Sequence, residues 1–164
     1  MPFQIAIELI KRIYGRTDFA PRIENDSTLQ LRGLVLPAFV DMFMILFENA
    51  LKHAGLAEAP SVRIELKDKD EIIVIHVANT VAPSSVTPGS RARLDAIRSA
   101  MRHGDYKKAV RTEGGTGLHK VQKIIRHDFG TNGAMRFDYL GSESFVVELE
   151  LEVRRLIADA HSAD

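Results

Sequence analysis

The chain contains no cysteine among its 164 residues, and its charges balance, with 22 lysines and arginines against 22 aspartates and glutamates. The absence of cysteine excludes a disulfide framework and thiolate chemistry. It also fits a reducing compartment, so we expect a cytoplasmic protein. Without net charge, no overall field draws the chain to nucleic acid or to an anionic membrane. Any affinity for phosphate must therefore be local.

Long apolar runs are also scarce. No run approaches the roughly 20 apolar residues that span a bilayer, and the start, Met1 to Arg12, has no basic leader ahead of its apolar residues. We therefore expect a soluble chain without membrane contact. Because 45% of the residues are hydrophobic, a chain of this length buries a substantial core, and we expect one domain.

The hydrophobic pattern predicts helices that alternate with hairpins. Helical spacing over residues 3–14 is followed by a loop or short strand, and a stronger helix begins at Pro37 and stops at Gly55. Alternating residues predict a hairpin over 62–77 with a central second strand, then a Pro/Ser/Thr-rich insert over 80–113 that holds a short helix. A helix from Leu118 and a closing hairpin to Val153 precede a tail that is helical or frayed. This order predicts helices on one face of a mixed sheet.

We therefore divide the chain into three parts. Residues 1–36 form a lead-in of helix and loop or strand, and residues 37–153 form the main domain with a lid-like insert over 80–113. Residues 154–164 form the tail.

Four polar residues cluster at the end of the second helix. Glu48, Asn49, Lys52 and His53 span about 140° of its polar side at 100° per residue. An amide oxygen from Asn49 suits magnesium, which combines few protein ligands with phosphates and waters, and Lys52 is placed to reach a phosphate. The alternative is a solvated helix end in which Glu48 and Lys52 form an ordinary i,i+4 pair.

Gly114, Gly115, Thr116 and Gly117 directly precede the apolar stripe of the next helix. Backbone N–H groups in such a turn, together with the positive end of the helix, receive phosphate. The alternative is an ordinary glycine loop. The turn is not a Walker loop, because no Gly-Lys-Ser/Thr follows, and it does not follow a strand as a dinucleotide fingerprint does.

Asn79 ends the buried strand, where its carbonyl is placed to accept the amino proton of adenine; the alternative is an asparagine that starts a turn. The remaining histidines show no metal-ligand spacing, and His76 on an apolar strand has the pattern of a structural histidine. No trio of nucleophile, base and orienting residue is present.

The helix asparagine, the strand-ending Asn79-Thr80, the long insert and then Gly-Gly-Thr-Gly-Leu resemble, in that order, the GHKL superfamily of gyrase, heat-shock chaperone, histidine kinase and mismatch-repair ATPases. The resemblance runs from about Pro37 to Val153, and Glu-Asn-Ala-Leu-Lys-His looks most like a sensor histidine kinase. It implies a Bergerat ATP-binding fold, an α+β two-layer sandwich with a mixed, mostly antiparallel sheet.

The resemblance also implies roles for individual residues. It makes Asn49 the magnesium ligand, places Lys52 and His53 near the phosphates, and puts Asn79 where the family reads adenine with an aspartate. Residues 80–113 correspond to the mobile lid. The set implied to bind ATP is Asn49, Lys52, His53, Asn79, Gly114, Gly115, Thr116, Gly117, Leu118 and His119.

The chain departs from the family pattern at several positions. Ile45 stands where gyrase-like members carry a water-activating glutamate, and Glu48 lies about 100° away on the helix, so efficient hydrolysis is not expected. Asn79 replaces the aspartate and Val81 replaces the following glycine. His119 replaces a glycine of the second box, where we expect its side chain near phosphate with protonation favoured.

The resemblance implies an ATP- and magnesium-binding catalytic domain of histidine-kinase type, with Glu48, Asn49 and Lys52 as candidate catalytic residues. No histidine precedes His53, so the phosphoacceptor histidine must lie on another domain or protein. A homodimer is compatible with this class. The alternatives are a switch, in which ATP orders the insert for a partner with little turnover, and a domain that binds nothing.

Overall fold

The computed structural model describes residues 1–28, 30–102, 117–152 and 156, and within these it contains four α-helices and five β-strands. The helices are α1 (Pro2–Tyr14), α2 (Leu36–His53), α3 (Pro88–Arg102) and α4 (Gly117–Lys123). The strands are β1 (Arg22–Asn25), β2 (Val62–Lys69), β3 (Ile72–Thr80), β4 (Ala134–Leu140) and β5 (Ser144–Glu152). Short 3₁₀ turns at Gly33–Val35 and Pro83–Ser85 precede α2 and α3, and a π-helical turn at Ile124–Asp128 extends α4.

The five strands form one sheet in the order β1-β2-β3-β5-β4. β1 pairs with β2 in parallel, and the other three pairs are antiparallel. The predicted α+β fold with a mixed, mostly antiparallel sheet is confirmed, and the second strand of the first hairpin is central as expected. The segment that was expected to be a loop or short strand contains the edge strand β1.

The core lies between the sheet and the helices. Phe39, Phe43 and Phe47 follow one face of α2 and are at most 2% exposed, and burying each such side chain is worth about 1.5–3 kcal/mol. Phe3 of α1 packs edge-on against Phe43, with ring centroids 5.9 Å apart. From the sheet, β3 contributes every second residue, because alternate side chains point to opposite faces.

Helix ends follow local sequence signals. Pro2 occupies the first turn of α1, where its missing N–H costs nothing, and Gly15 closes the helix with a left-handed φ of 61°. Pro37 has the same role in the first turn of α2. After α2, Gly55 has a φ of 68°, and a Cβ there would collide with Ser85 of the following 3₁₀ turn. A glycine is therefore favoured at position 55, where the loop after α2 begins.

The expectation about apolar runs was wrong for one helix. Among the described residues, Gly33–His53 has the length and mean hydropathy of a membrane-crossing segment. The buried helix of a water-soluble core meets the same test, and the phenylalanine face of α2 is packed inside this fold. The apolar character of α2 is therefore explained by its place in the core.

Candidate functional site

A cavity of about 470 Å³ opens at one end of the sheet. The last turn of α2 forms one wall, α3 forms the opposite wall, and the start of α4 and the ends of β3, β4 and β5 close the base. The lining residues are Asn49, Lys52, His53, Gly55, Asn79, Val81, Ser85, Gly89, Ser90, Arg93, Leu94, Ile97, Gly117, Leu118, Tyr139 and Phe145. Six of the residues predicted to bind nucleotide thus meet at one cavity: Asn49, Lys52, His53, Asn79, Gly117 and Leu118.

Asn49 is held by the start of α4. A Cβ on Gly117 would lie 2.5 Å from both Nδ2 and Oδ1 of Asn49, closer than real Cβ contacts. The glycine therefore lets the backbone of α4 approach the amide, and the two predicted motifs touch at this point. Gly114, Gly115 and Thr116 of the same motif lie outside the described residues.

Glu48 lies beside the cavity rather than in its lining. Its Oε1 accepts a hydrogen bond from the Tyr14 hydroxyl at 2.5 Å and another from Lys52 Nζ at 2.5 Å. The donors Lys52 and Tyr14 together lower the pKa of the Glu48 carboxyl, and the hydrogen bond that Lys52 donates to Glu48 raises the pKa of Lys52. The i,i+4 pair anticipated as the alternative forms, while Lys52 also lines the cavity.

His53 lies at the rim of the cavity with an exposed side chain. Displacement of water by the surrounding protein lowers its pKa, and the charges of Arg93 and Lys52 lower it further. Lys52 and Arg93 thus place positive charge beside a largely neutral His53 at the cavity, where an anionic group is stabilised.

Asn79 lines the same cavity from the end of β3. Its side chain is 7% exposed, and Nδ2 donates to the carbonyl of the neighbouring Thr80 at 2.9 Å. This bond leaves Oδ1 as the acceptor that the amide can offer to a ligand. Phe145 lies opposite Asn79 in the β3–β5 register and packs against Tyr139, with ring centroids 5.3 Å apart.

His119 does not fit the expectation of a protonated side chain near phosphate. It is 3% exposed, it is absent from the cavity lining, and its Nδ1 has no hydrogen-bond partner. Burial lowers its pKa, because transfer out of water disfavours the charged imidazolium. The expectation that protonation is favoured was wrong, because the side chain at this third residue of α4 is buried rather than part of the cavity lining.

Sequence reasoning missed the contribution of the insert helix α3. The short helix of the insert was predicted, but the place of its Leu94 and Ile97 in the cavity wall was not. Arg93 was missed entirely, since nothing in the sequence separates it from Arg91 and Arg98. In the structure both of those arginines are bound to the β4–β5 hairpin: Arg98 donates to the Phe137 carbonyl at 2.7 Å, and Arg91 donates to the Gly141 carbonyl of the turn at 3.0 Å. Arg93 makes no ion pair with the described residues and faces the cavity.

The polar side chains that line the cavity fit a magnesium ion that takes most of its ligands from phosphates. Within the described ranges, no three His, Asp or Glu side chains form a group that would bind a metal ion. Asn49 supplies one neutral oxygen, and Mg²⁺ commonly takes one or two protein ligands and completes its octahedral shell with phosphate oxygens and waters.

Solved structures of histidine kinase catalytic domains share this fold. The catalytic domain of histidine kinase ThkA aligns with a TM-score of 0.62 at 15% identity, covering 92% of this chain and 89% of that one. The mycobacterial sensor histidine kinase MprB gives 0.59 at 17%, covering 92% and 91%. Histidine kinase AdeS of Acinetobacter baumannii gives 0.60 at 14%, covering 93% and 65%. The fold is therefore that of histidine kinase catalytic domains, which confirms the fold that the sequence predicted.

The family is narrower than this fold class. A family model described as "y4jQ C-terminal putative histidine kinase domain" matches residues 3–153, so the chain belongs to that family. One relative, "Uncharacterized protein y4jQ" of Sinorhizobium fredii (strain NBRC 101917 / NGR234), is 28% identical over 137 residues. The match covers 82% of this chain and 12% of the relative, so the chain spans a small part of that protein's length.

Proposed function

We propose that this domain binds ATP with magnesium and presents the γ-phosphate to a histidine on another domain or protein. The observation that carries the proposal is the contact between Gly117 and Asn49 in the lining of the cavity. It sets a magnesium-type amide oxygen in one cavity with Lys52, His53 and Arg93, and the Asn79 amide lines the same cavity. Cationic side chains and apolar side chains in one cavity suit the phosphates and the base of a nucleoside triphosphate.

The chemistry fits the side chains. In phosphoryl transfer, the acceptor nitrogen forms a bond to the γ-phosphorus while the bond to the β-phosphate oxygen breaks and ADP leaves. Catalysis is chiefly positioning and charge neutralisation. Lys52 and Arg93 would neutralise phosphate charge, Asn49 would hold a magnesium ion that draws further charge from the phosphates, and the sequence motif of Gly114, Gly115, Thr116 and Gly117 would supply backbone N–H groups. A histidine acceptor is its own nucleophile, so an isoleucine at position 45 is compatible with this reaction.

Adenine is proposed to lie against Leu118 and Phe145, where its amino group would donate a hydrogen bond to Oδ1 of Asn79. An amide in place of a carboxylate gives a weaker hydrogen bond, because the charge assistance is lost. The buried position of His119 gives it no direct part in this scheme. The neutral, cysteine-free composition fits a cytoplasmic domain that works with a separate phosphoacceptor.

Calorimetric titration tests the proposal. The wild type should bind a non-hydrolysable ATP analogue with magnesium and lose that binding when a chelator is added. Asn49→Ala should remove the magnesium-dependent part while the domain still melts cooperatively. An absence of heat and of thermal stabilisation in the wild type at millimolar analogue would contradict the proposal.

A second candidate function is a nucleotide-controlled interaction module with little turnover. It is favoured by Val81, which is 5% exposed and lines the cavity where the family has glycine, together with Asn79 in place of aspartate. Incubation with labelled ATP and a histidine-bearing helical hairpin separates the two functions. Transfer of label to the hairpin supports the kinase, and binding without transfer supports the module.

A further inference from the structure

Lys52 connects the cavity with the end of α1. Its Nζ donates to Oε1 of Glu48 at 2.5 Å, and the hydroxyl of Tyr14, the last residue of α1, donates to the same oxygen at 2.5 Å. Lys52 Nζ also lies 6.0 Å from the centroid of the Tyr14 ring. The three side chains therefore join α1 to the cavity-lining turn of α2.

Two donors compete for one carboxylate oxygen in this group. A hydrogen bond from the phenol draws charge from Oε1 and occupies part of its lone-pair density, which weakens the attraction of the carboxylate for the ammonium. The side chains of Lys52 and Glu48 are 53% and 36% exposed, so Lys52 has room to turn from the carboxylate toward the cavity. A phosphate oxygen in the cavity then competes with the Glu48 carboxylate for the Lys52 ammonium.

We propose that Tyr14 is a positioning residue: by sharing Oε1 of Glu48, it sets how readily Lys52 leaves that carboxylate for the phosphates of a bound nucleotide. This inference rests on the proposed function, since it needs a triphosphate in the cavity. The Glu48 carboxylate holds the Lys52 ammonium in an ion pair, and the hydrogen bond from Tyr14 weakens that ion pair. Because Tyr14 closes α1, a displacement of α1 changes the phosphate end of the cavity without touching the ligand.

The two partners of Lys52 then have opposite effects on affinity. Tyr14→Phe keeps the ring but removes the hydroxyl, so Glu48 holds Lys52 more strongly and the affinity for the magnesium complex of a non-hydrolysable ATP analogue should fall about twofold. Glu48→Gln removes the charge that holds Lys52, so the affinity should rise about two- to fivefold, the range that an exposed ion pair covers.

The double variant separates positioning from packing. With Gln at position 48 the hydroxyl of Tyr14 has no carboxylate to moderate, so Tyr14→Phe added to Glu48→Gln should leave the affinity of Glu48→Gln unchanged. Glu8→Gln is the matched control, because Glu8 is an exposed carboxylate whose partner is Lys11 on the same helix α1, at 3.3 Å. Its affinity should equal that of the wild type.

The outcomes are distinguishable by titration calorimetry, with a melting curve for each variant. Opposite shifts for the two single variants and no added effect in the double variant support the inference. Weaker binding in both single variants, or an additive double variant, overturns it and leaves the proposed function intact. A wild type that binds no nucleotide overturns the proposed function, and this inference falls with it.

Discussion

Gly117 at the start of α4 lies against the side chain of Asn49 on α2, so the glycine motif and the asparagine motif of the sequence meet at this contact. Replacing it with alanine would place a Cβ 2.5 Å from Nδ2 and Oδ1 of Asn49. The backbone of α4 tolerates alanine, since Gly117 has no left-handed φ, so the Asn49 amide must move instead. We expect Gly117→Ala to weaken magnesium-dependent binding of an ATP analogue by about tenfold or more, the equivalent of one lost strong contact.

Gly33→Ala is the control for this change. Gly33 has no heavy atom within 4 Å of an added Cβ and also lacks a left-handed φ. Titration calorimetry should give the wild-type affinity for Gly33→Ala. Wild-type affinity in Gly117→Ala would show that the position of the Asn49 amide is not required.

Arg93 is the cation of α3 that faces the cavity. We expect Arg93→Gln to weaken binding of the ATP analogue about two- to fivefold, because one exposed positive charge near the phosphates is removed. The loss should shrink at high salt, where exposed charges are screened. Arg12→Gln, an exposed arginine of α1 outside the cavity lining, should bind like the wild type. Equal affinities of the Arg93 and Arg12 variants at low salt would exclude Arg93 from the phosphate site.

At the scale of elements, α3 is fastened over the cavity by contacts with the β4–β5 hairpin. Asp138 of β4 pairs with Arg98 at 2.9 Å and lies 3.9 Å from Arg91. Arg98 also lies over the Phe137 ring, with its guanidinium carbon 5.2 Å from the centroid. These contacts hold an arginine-rich helix against the edge strand β4, so they set the position of one cavity wall.

We expect Asp138→Asn to loosen α3 without unfolding the sheet. Exposed ion pairs are worth about 0.2–1 kcal/mol each, enough to raise amide hydrogen exchange in residues 88–102 several-fold while exchange in β3 and β5 stays slow. Arg136→Gln is the control, since Arg136 also belongs to β4 but pairs with Glu148 and Glu150 of β5 rather than with a residue of α3. Unchanged exchange in α3 of the Asp138 variant would show that the arginine contacts do not hold it.

At the scale of the whole molecule, two histidines link stability to pH. Burial lowers the pKa of His119 below its ordinary 6.5, and desolvation with Arg93 lowers that of His53. The unfolded chain therefore binds more protons than the folded chain in mildly acidic solution, and the free energy of unfolding falls as pH drops below 6.5 toward the folded-state values. Above that range both states are neutral at these sites and the contribution is constant.

The melting temperature should accordingly decline between about pH 7 and about pH 5. His119→Leu removes one buried titrating group, so its melting temperature should vary less over the same range. Calorimetric melting of both proteins measures the two slopes. A melting temperature that rises on acidification, or an unchanged slope in the variant, would contradict the assignment of a lowered pKa to His119.

Several parts of the fold could be predicted from local patterns. Phe39, Phe43 and Phe47 repeat at helical spacing, and the alternation in β3 and β5 has the period of a strand, so element type followed directly. The hydrogen-bond partners of Glu48 could not be predicted from the sequence, because helical geometry gives the direction of a side chain but not what it contacts. Tyr14, the donor to Glu48, lies 34 residues earlier in the chain.

The position of His119 in a sequence motif led to a wrong prediction of its location and its pKa. A family pattern places the residue near phosphate, whereas the orientation of α4 against the core turns this side chain inward. A lowered pKa then follows from burial, which depends on neighbours that the sequence does not order in space. Arg93 shows the converse, since its sequence context resembles that of Arg91 and Arg98 and only their partners on β4 and the hairpin distinguish them.

The sequence by itself determined the α+β class, the order of elements and six of the residues that line the cavity, because hydrophobic periodicity and short motifs are local properties. The tertiary structure alone decided that Gly117 confines Asn49, that Tyr14 and Lys52 share one oxygen of Glu48, and that α3 supplies Arg93 as a cavity wall residue. These relations join segments far apart in the chain. Their geometry is fixed by how the helices pack on the sheet, which no local pattern encodes.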